Sequence, residues 1–361
     1  MFFELFFFLF LNINNLTFEL IKTKTNSVTT VLSINNIYVP YIYVLIESII
    51  QNANQKRPYE IFILTTNISL ENKEILKNQI KKDNRFSIEF INVANLIKDK
   101  KINLFDYLSI ETYFRFFIFD LFSDTQKILY LDSDLIINSD IADLYDINIE
   151  GKYLAAAKDI DIAGLIKYEK HKRKYIEKYI GYKGEDEYFQ AGVILFNIQE
   201  IKKKFTTEIF FKVAEKRKWK WMDQDVLNYI FKGNVFYLNQ KWNCIFNWKN
   251  LIKGKCRIDI LKLAPKQLFN EYLQARKNPF IIHFAGNQKP WQYPDCDFSE
   301  YFWKYAKNSI VFNQIIKQNR KIIKRKIKKK LIKIFRTNLI LFISIINLIL
   351  YIFNLNINLS F

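Results

Sequence analysis

Short apolar runs alternate with helix-like stretches over the first 132 residues of this 361-residue chain, and this alternation constrains the fold more than any other feature. The run at 28–34 has the composition of a buried parallel strand, and further strands are predicted at 59–66, 86–93 and 127–132. The stretches with a helical pattern are 39–51, 70–82 and 110–122. Because strands that alternate with helices of about 10 to 15 residues build doubly wound sheets, the pattern predicts an α/β fold that binds ligands at the carboxyl ends of its strands.

Several classes of protein lack their signature in this sequence. There is no Gly-x-Gly-x-x-Gly or Walker loop, which argues against dinucleotide-dependent dehydrogenases and P-loop enzymes. The three cysteines, Cys244, Cys256 and Cys296, are odd in number and well separated in sequence. This spacing argues against a disulfide framework and a zinc knuckle, and it favours a reducing compartment.

Positive charge is concentrated near the C-terminus. The formal net charge is +19, and eleven Lys or Arg residues without any acidic residue lie within 317–336, which leaves +8 for the rest of the chain. Apolar residues interleave with these charges at helical spacing, and an uncharged apolar block follows at 339–353. Such a pair of segments is typical of a membrane-surface anchor, and a solvated basic tail is the alternative. A nucleic-acid-binding protein is a third class, but no nucleic-acid motif accompanies the charge, so we expect an anionic membrane and no nucleic acid as partner.

One pair of carboxylates directly follows the fourth predicted strand. Asp132 and Asp134 are separated only by Ser133, so both can reach one divalent cation at the strand end. Carboxylate oxygens suit Mg²⁺ or Mn²⁺. The same Asp-x-Asp pattern also occurs at 159–161 and 223–225, and a solvated turn with capping roles is the alternative.

A second group of polar residues follows an apolar run near residue 280. His283 ends the run, and Gly286 and Lys289 follow it. The imidazole can ligate a metal ion, the glycine lets the backbone approach a phosphate, and the lysine adds positive charge, although a lone histidine is more often structural. The other histidine, His171, lies in a charged run and is expected at the surface.

Two further segments combine polar residues with an adjacent apolar element. Within 188–198, Gln190 precedes an apolar strand, and Asp223 and Gln224 begin a predicted helix within 221–231. Acidic residues are favourable near a helix N-terminus, so capping alone would also explain the second segment.

Taken in order, six motifs within 27–292 resemble glycosyltransferase family 8, and among its members the bacterial lipopolysaccharide galactosyl- and glucosyltransferases. The motifs are NN-x-Y, T-Y-x-R, YLDSD, F-x-AGV-x-L-x-N, DQD-x-LN and HF-x-G-x-x-KPW. The resemblance implies a GT-A fold, in which a Rossmann-like mixed sheet flanked by helices binds a nucleotide sugar. It also implies a Mn²⁺-dependent enzyme, with Mg²⁺ as the alternative ion, that transfers hexose from a UDP-sugar with retention of anomeric configuration.

The resemblance also assigns roles to individual residues. It implies that Mn²⁺ is held by Asp132, Asp134 and His283. The residues implied for UDP and the diphosphate are Asn35, Asn36, Tyr38, Gly286 and Lys289, with Arg115 at the donor sugar. Those implied for the sugar and acceptor site are Asp159, Gln190, Asp223 and Gln224, and of these Gln224, Asp223 and Asp159 are the candidate catalytic residues.

Three positions depart from the family's pattern. Asn35 stands where an acid is usual, Ile37 replaces an asparagine that contacts uridine, and Gln190 stands where asparagine is common. The first two departures lie at positions that the resemblance assigns to binding of the base, and the third lies at a position that it assigns to the sugar. Because the metal and diphosphate positions match, the sequence predicts an active enzyme and not a catalytically degenerate membrane scaffold of the same fold.

The same reasoning divides the chain into four regions. We expect an apolar N-terminal extension over 1–26, the GT-A catalytic domain over 27–300, a basic amphipathic helical segment over 301–336 and an apolar membrane-associating tail over 337–361. The acceptor is expected to be a saccharide or glycolipid of cell-surface glycan synthesis, such as lipopolysaccharide. The basic flank of the tail predicts a peripheral enzyme on the cytoplasmic face of the inner membrane.

Overall fold

A seven-stranded mixed sheet lies at the centre of the computed structural model, which describes residues 20–102, 109–182, 184, 187–247 and 256–320. Its strand order is β3-β2-β1-β4-β7-β6-β8. The strands are β1 (Val28–Ser33), β2 (Tyr59–Thr65), β3 (Phe86–Asn92), β4 (Lys127–Leu131), β6 (Leu154–Lys158), β7 (Phe189–Asn197) and β8 (Val235–Leu238). A smaller sheet of order β5-β10-β9 comprises Leu135–Ile137 (β5), Cys244–Ile245 (β9) and Ile281–His283 (β10).

Strand direction changes across the large sheet. Strands β1 to β4 are mutually parallel, and β6 is parallel to β8. Strand β7 runs antiparallel to both β4 and β6, between which it is inserted. The prediction of a Rossmann-like mixed sheet flanked by helices is therefore confirmed.

Helices cover both faces of the sheet and connect its strands. The α-helices are α1 (Val39–Asn52), α2 (Leu70–Ile80), α3 (Ala94–Ile97), α4 (Ile118–Leu121), α5 (Ile141–Tyr145), α6 (Ile160–Tyr168), α7 (Lys170–Tyr175), α8 (Ile198–Ile201), α9 (Thr207–Glu215), α10 (Met222–Phe231), α11 (Arg257–Leu261), α12 (Lys266–Ala275) and α13 (Ser299–Ala306). Short 3₁₀ segments cover Asn36–Tyr38, Ile110–Phe117 and Gln240–Asn243, a π-helical turn covers Ile176–Ile180, and residues 312–320 are helical.

The alternation of side chains along the strands creates two apolar layers. In β4, Leu129 and Leu131 belong to one buried cluster, whereas Ile128 and Tyr130 belong to the other. This period of two is that of a strand buried on both faces. Helices α1 and α13 contribute to the first cluster, and α9 and α10 contribute to the second.

A local sequence signal explains where helix α2 begins. Helix α2 begins after Ser69, whose hydroxyl accepts a hydrogen bond from the Asn72 backbone N–H at 3.2 Å, as an N-cap does.

The predicted helix over 110–122 is wrong in detail, because 110–117 is a 3₁₀ segment and only 118–121 is α-helical. Here tertiary packing overrides the helical pattern, since all five residues from Tyr113 to Phe117 are buried.

The polypeptide continues to pack against the first cluster beyond residue 300. Phe302, Tyr305 and Ile315 are all buried there, and the Tyr305 hydroxyl accepts a hydrogen bond from Asn52 Nδ2. The predicted boundary between 27–300 and 301–336 thus falls inside α13, whose side chains share the core of the catalytic domain.

The two predicted terminal regions are described only in part. Residues 1–19 of the N-terminal extension lie outside the described residues, and at its end the Ile21 N–H donates to the Leu121 carbonyl at 2.9 Å. The basic segment beyond residue 320 and the apolar tail over 337–361 also lie outside the described residues. Within the described part of the chain, no helix is long and apolar enough to span a membrane.

Candidate active site

The candidate site lies where the strand order of the large sheet reverses. β2 and β3 extend the sheet on one side of β1, while β4 lies on its other side, so the chain leaves β1 and β4 at a topological switch point. Asp132 follows β4, and its N–H donates to the Gly192 carbonyl at 2.8 Å. The Phe284 N–H donates to the Asp134 carbonyl at 3.0 Å. These bonds fix the Asp132–Asp134 segment between β7 and the end of β10.

Three side chains with metal-ligating atoms converge at this point. One ligand atom each of Asp132, Asp134 and His283 lies within 4.8 Å of the other two. The His283 Nε2 is 3.3 Å from an Asp134 carboxylate oxygen and 3.9 Å from one of Asp132. Two carboxylates and one imidazole form a donor set that fits a divalent cation such as Mn²⁺ or Mg²⁺. The structure thus brings together the three residues that the sequence analysis assigned to a metal.

A buried amide determines how the histidine is oriented. Asn243 Nδ2 donates to Gln190 Oε1 at 2.6 Å, which leaves Asn243 Oδ1 to accept from the Nδ1 of His283 at 2.9 Å. Gln190 Oε1 also accepts the Gly192 N–H at 2.6 Å. This network holds Nδ1 as the donor to Asn243 and turns Nε2 toward the two carboxylates, where it could ligate a metal ion.

Gly192 is required where it lies because the side chains of two candidate metal ligands, Asp132 and His283, occupy the space beside it. A Cβ atom at residue 192 would lie 2.9 Å from Asp132 Oδ2 and closer still to Cε1 of His283. The motif F-x-AGV-x-L-x-N therefore has a packing reason for its glycine: the backbone of β7 passes directly against the ligand side chains.

Arg115 is a buried cation of the site. Its Nη2 donates to Asp132 Oδ1 at 2.9 Å, and its Nε lies 3.0 Å from Asp223 Oδ2. Its Nη1 donates to the Ala191 carbonyl at 2.5 Å, and its guanidinium lies over the Tyr130 ring. Burial opposes its charge, but the nearby carboxylates outweigh burial and raise the pKa of Arg115. The side chain thus stays ionised and links Asp132 to Asp223.

Lys289 is the second cation of the site, and it contacts Asp134. Its ammonium donates to an Asp134 oxygen and to the Phe284 carbonyl, the latter at 2.8 Å. Burial opposes ionisation of Asp134, but Lys289 and His283 outweigh burial and hold the pKa of Asp134 below its usual value. Asp134 is therefore ionised at neutral pH, as a metal ligand must be.

The predicted nucleotide-binding residues line a cavity of about 380 Å³ beside the candidate metal ligands. Asn35, Tyr38, Gly286 and Lys289 all contribute to its wall. Gly286 has a φ of 101°, a conformation that favours glycine. Asn36 points elsewhere, since its Oδ1 accepts hydrogen bonds from the Ser69 N–H and Asn72 Nδ2, both at 2.9 Å.

The predicted sugar-site residues line a second cavity of about 470 Å³. Gln224 lies at the start of α10, where its Oε1 accepts the Ala191 N–H at 2.9 Å and its Nε2 donates to Asp159 Oδ2 at 3.0 Å. The neighbouring Asp223 is buried against Arg115. Burial raises the pKa of Asp159 and the pKa of Asp223 to about 6 each. Both carboxylates are thus poised closer to neutral pH than ordinary aspartates.

The two cavities adjoin, because they share several wall residues. The shared residues are Thr112, Arg115, Asp132, Gln190, Ala285, Gly286 and Asn287. A ligand that extends from one cavity into the other would therefore pass the metal ligands and Arg115. The arrangement suits a molecule with an anionic part on one side and a polar saccharide on the other.

Some residues of the site had no assigned role in the sequence analysis. Thr112 donates a hydrogen bond to Asp223, and its position in the T-Y-x-R motif was the available signal. Arg257 forms an ion pair with Asp161 at the wall of the larger cavity, and Asn243 contacts His283. No motif contains Arg257 or Asn243, so sequence alone did not identify them.

Comparison with known proteins gives a consistent result. The model of glycosyl transferase family 8 matches residues 29–295. A putative glycosyltransferase of Haemophilus influenzae is 30% identical over 270 residues, which cover 74% of each chain. A lipopolysaccharide 1,2-glucosyltransferase of Escherichia coli K12 is 27% identical over 182 residues, about half of each chain.

The fold has also been observed in solved structures. The apo structure of the bifunctional glycosyltransferase WbbM is 28% identical, with a TM-score of 0.75 over 83% of this chain and 53% of that chain. This chain therefore spans about half the length of that protein. The architecture is that of GT-A glycosyltransferases, and the family model covers most of the sequence. The chain belongs to glycosyltransferase family 8.

Proposed function

We propose that the protein is a metal-dependent, retaining hexosyltransferase that moves glucose or galactose from a UDP-sugar to a saccharide acceptor. The observation that carries this proposal is the pair of adjoining cavities, with Asp132 and Arg115 at their junction. One cavity contains Lys289 and the candidate metal ligands, which suit a diphosphate, and the other contains Gln224 and Asp159, which suit sugar hydroxyls.

The donor would lie with its diphosphate beside Asp132, Asp134 and His283. Those three residues would hold Mn²⁺, or Mg²⁺, which when bound supplies Lewis-acid stabilisation of the leaving phosphate. Lys289 is 11% exposed, and it could leave Asp134 for a phosphate oxygen with little movement. Its charge would then stabilise the negative charge that grows on UDP as the glycosidic bond breaks.

The residues of the larger cavity would orient the sugar. Gln224 is fixed at both ends of its amide, by the Ala191 N–H and by Asp159, so its position relative to the donor is set before the sugar binds. Arg115 would contact the donor sugar while holding Asp132, and Asp223 would neutralise part of the charge of the Arg115 guanidinium.

Retention of configuration is best explained by attack from the same face as the leaving group. The four carboxylates that line the larger cavity, among the described residues, are already bound: Asp132 to Arg115, Asp159 to Gln224, Asp161 to Arg257 and Asp223 to Arg115. This supports a path without a carboxylate nucleophile. The acceptor oxygen forms the new bond to the anomeric carbon as the phosphate oxygen leaves with the electron pair of the old bond. The acceptor hydroxyl proton passes to that phosphate oxygen.

A catalytically degenerate scaffold of the same fold is the alternative. Intact residues at the metal and diphosphate positions, together with the pKa of Asp134 held low by Lys289 and His283, favour an active enzyme. The relative that is a lipopolysaccharide 1,2-glucosyltransferase supports a role in cell-surface glycan synthesis.

Release of UDP tests the proposal. The purified chain should release UDP in a Mn²⁺-dependent manner from at least one of UDP-glucose, UDP-galactose and UDP-N-acetylglucosamine. Asp134→Ala should abolish this release, while Asp124→Ala, which removes an exposed carboxylate before β4, should not change it. If neither the wild-type chain nor Asp124→Ala releases UDP from any donor, although both unfold at the same temperature, the degenerate scaffold is the correct description.

We propose further that the C-terminal tail attaches the enzyme to the cytoplasmic face of an anionic membrane. This proposal rests on the sequence of 317–361, most of which lies outside the described residues. Because Ile315 is buried in the core, a truncation that tests the tail should follow Arg320. The truncated enzyme should keep its activity on a soluble donor and lose most of its binding to vesicles that contain anionic lipid.

A further inference from the structure

Two short segments account for most of the net positive charge outside 317–336. Segments 167–178 and 215–220 together contain ten Lys or Arg residues and three Glu residues, a net charge of +7. The whole chain outside 317–336 carries only +8. We call these two segments the basic collar. Such a concentration creates a local positive potential.

The two segments of the collar are held together by aromatic contacts. The Tyr175 ring packs edge-to-face on Trp221 at 5.7 Å, and its hydroxyl accepts the Lys220 N–H at 2.9 Å. The Arg217 guanidinium lies 4.7 Å from the centre of the Tyr179 ring. The same Tyr175 hydroxyl donates to Asp225 at 2.6 Å, which joins the collar to the first turn of α10. The collar is thus a built surface of the fold.

The collar contacts the wall of the larger cavity. Trp221, which contacts Tyr175, is itself part of that cavity's wall, and it directly precedes α10. The ammonium of Lys220 lies 5.5 Å from the Trp221 ring. Burial, followed by the charge of Lys172, lowers the pKa of Lys220, in accordance with the high density of positive charge here.

The charges of the collar point outward and are distributed over both segments. Among them, the side chains of Lys170, Lys174, Lys178, Lys216 and Lys218 are exposed. A discrete phosphate site would need side chains that converge on one point, whereas dispersed charges suit a flat surface that carries many anions. We propose that the basic collar binds the headgroups of an anionic lipid membrane and thereby turns the opening of the larger cavity toward the membrane.

This inference does not depend on the donor or on the chemistry of transfer, since it concerns binding to lipid alone. It also differs from attachment by the tail, because the collar belongs to the folded domain and would fix the orientation of the cavity. An acceptor that is anchored in the membrane would then meet the cavity without leaving the lipid surface.

Vesicle binding by the full chain tests the proposal. The collar variant is Lys170→Gln/Lys174→Gln/Lys178→Gln, and the matched control is Lys81→Gln/Lys82→Gln/Lys277→Gln. The control lysines are equally exposed and follow α2 and α12, which pack on the opposite layer of the core. Co-sedimentation is measured with vesicles of phosphatidylcholine containing phosphatidylglycerol and with vesicles of phosphatidylcholine alone.

We expect the collar variant to bind the anionic vesicles about 5-fold more weakly for each lysine that engages, and up to about 100-fold more weakly in total. The control variant should bind them like the wild-type chain, and added salt should reduce the difference. Equal binding of wild-type chain and collar variant to the anionic vesicles would overturn the proposal. It would also be overturned if the collar variant lost affinity for dextran sulfate but not for the vesicles, because the collar would then recognise a soluble polyanion.

Discussion

Gly192→Ala is the substitution for which the structure gives the sharpest expectation. The new Cβ would lie 2.9 Å from Asp132 Oδ2, whereas ordinary van der Waals contact begins near 3.4 Å. The carboxylate must therefore retreat by about 0.5 Å, and the His283 ring, which lies closer, must retreat further. Neither group can move freely, because Arg115 holds Asp132 and Asn243 holds the ring.

Displacements of this size exceed the tolerance of a metal site. Metal–ligand distances vary by about 0.2 Å among functional sites, so two displaced ligands would bind the ion poorly. Changes that merely misorient ligands weaken binding by about 10- to 100-fold, or about 1.4 to 2.8 kcal/mol. We therefore expect Mn²⁺-dependent binding of UDP to weaken by at least tenfold in Gly192→Ala, with a loss of about 1 to 3 kcal/mol in the free energy of unfolding from overpacking.

Gly164→Ala is the matched control for this experiment. Its Cβ would meet the carbonyl oxygen of Ile260 between α6 and α11, and none of its nearest neighbours is a candidate metal ligand. Calorimetric titration of UDP with and without Mn²⁺, together with thermal unfolding, separates the two effects. Gly164→Ala should lose stability and keep its Mn²⁺-dependent UDP binding. If Gly192→Ala retained wild-type UDP affinity in Mn²⁺, the proposed position of the metal would be wrong.

Three further expectations follow from the contacts of the site. Because burial raises the pKa of Asp159 to about 6, the folded chain keeps a proton there that the unfolded chain releases near pH 4. As the pH rises from about 4 to 6, the unfolding free energy of the wild type should thus fall by up to about 3 kcal/mol relative to that of Asp159→Asn. Urea denaturation at stepped pH measures this, and a difference between the two proteins that stays constant with pH would contradict the prediction. Asn243→Ala should weaken Mn²⁺-dependent UDP binding about 10- to 100-fold, while Asn243→Asp, which keeps an acceptor for His283 Nδ1–H, should retain more of it in the same titration. Lys289→Ala should lower kcat more than it raises KM in a steady-state assay of UDP release, and an unchanged kcat would instead indicate ground-state binding only.

Local patterns were sufficient to predict the first half of the sheet. β1, β2 and β4 are buried apolar runs, and each bound agrees with its predicted range to within one or two residues. The insertion of β7 between β4 and β6 was not predictable from the residues alone, because antiparallel pairing over 60 residues of sequence leaves no local signal. The 3₁₀ form of 110–117 likewise depends on burial among distant aromatic side chains.

Site residues that belong to a motif could be named from the sequence, whereas residues that only the fold brings into the site could not. Asp132, Asp134 and His283 were named from their positions after apolar runs, and they do converge. Asn243 contacts His283 from 40 residues away, and it belongs to none of the six motifs. Conversely, Asn36 belongs to a motif, yet its side chain is bonded to the first turn of α2. A motif thus identifies the segment, and the packing decides which of its side chains faces the cavity.

The ionisation of the site differs between its two halves, and the difference matches their proposed tasks. Beside the candidate metal site, Lys289 and His283 outweigh the effect of burial and keep the pKa of Asp134 low. A carboxylate that ligates a metal must be ionised, so this half is ready for a cation at any physiological pH. In the larger cavity, burial raises the pKa of Asp159 and the pKa of Asp223 to about 6, at a cost in stability above that pH. Buried carboxylates that cost stability are retained where they orient a partner, and here the partners are the Gln224 amide and the Arg115 guanidinium. The fold thus holds its two polar half-sites in different electrostatic states, which fit the proposed metal-bound diphosphate in one and the proposed neutral sugar in the other.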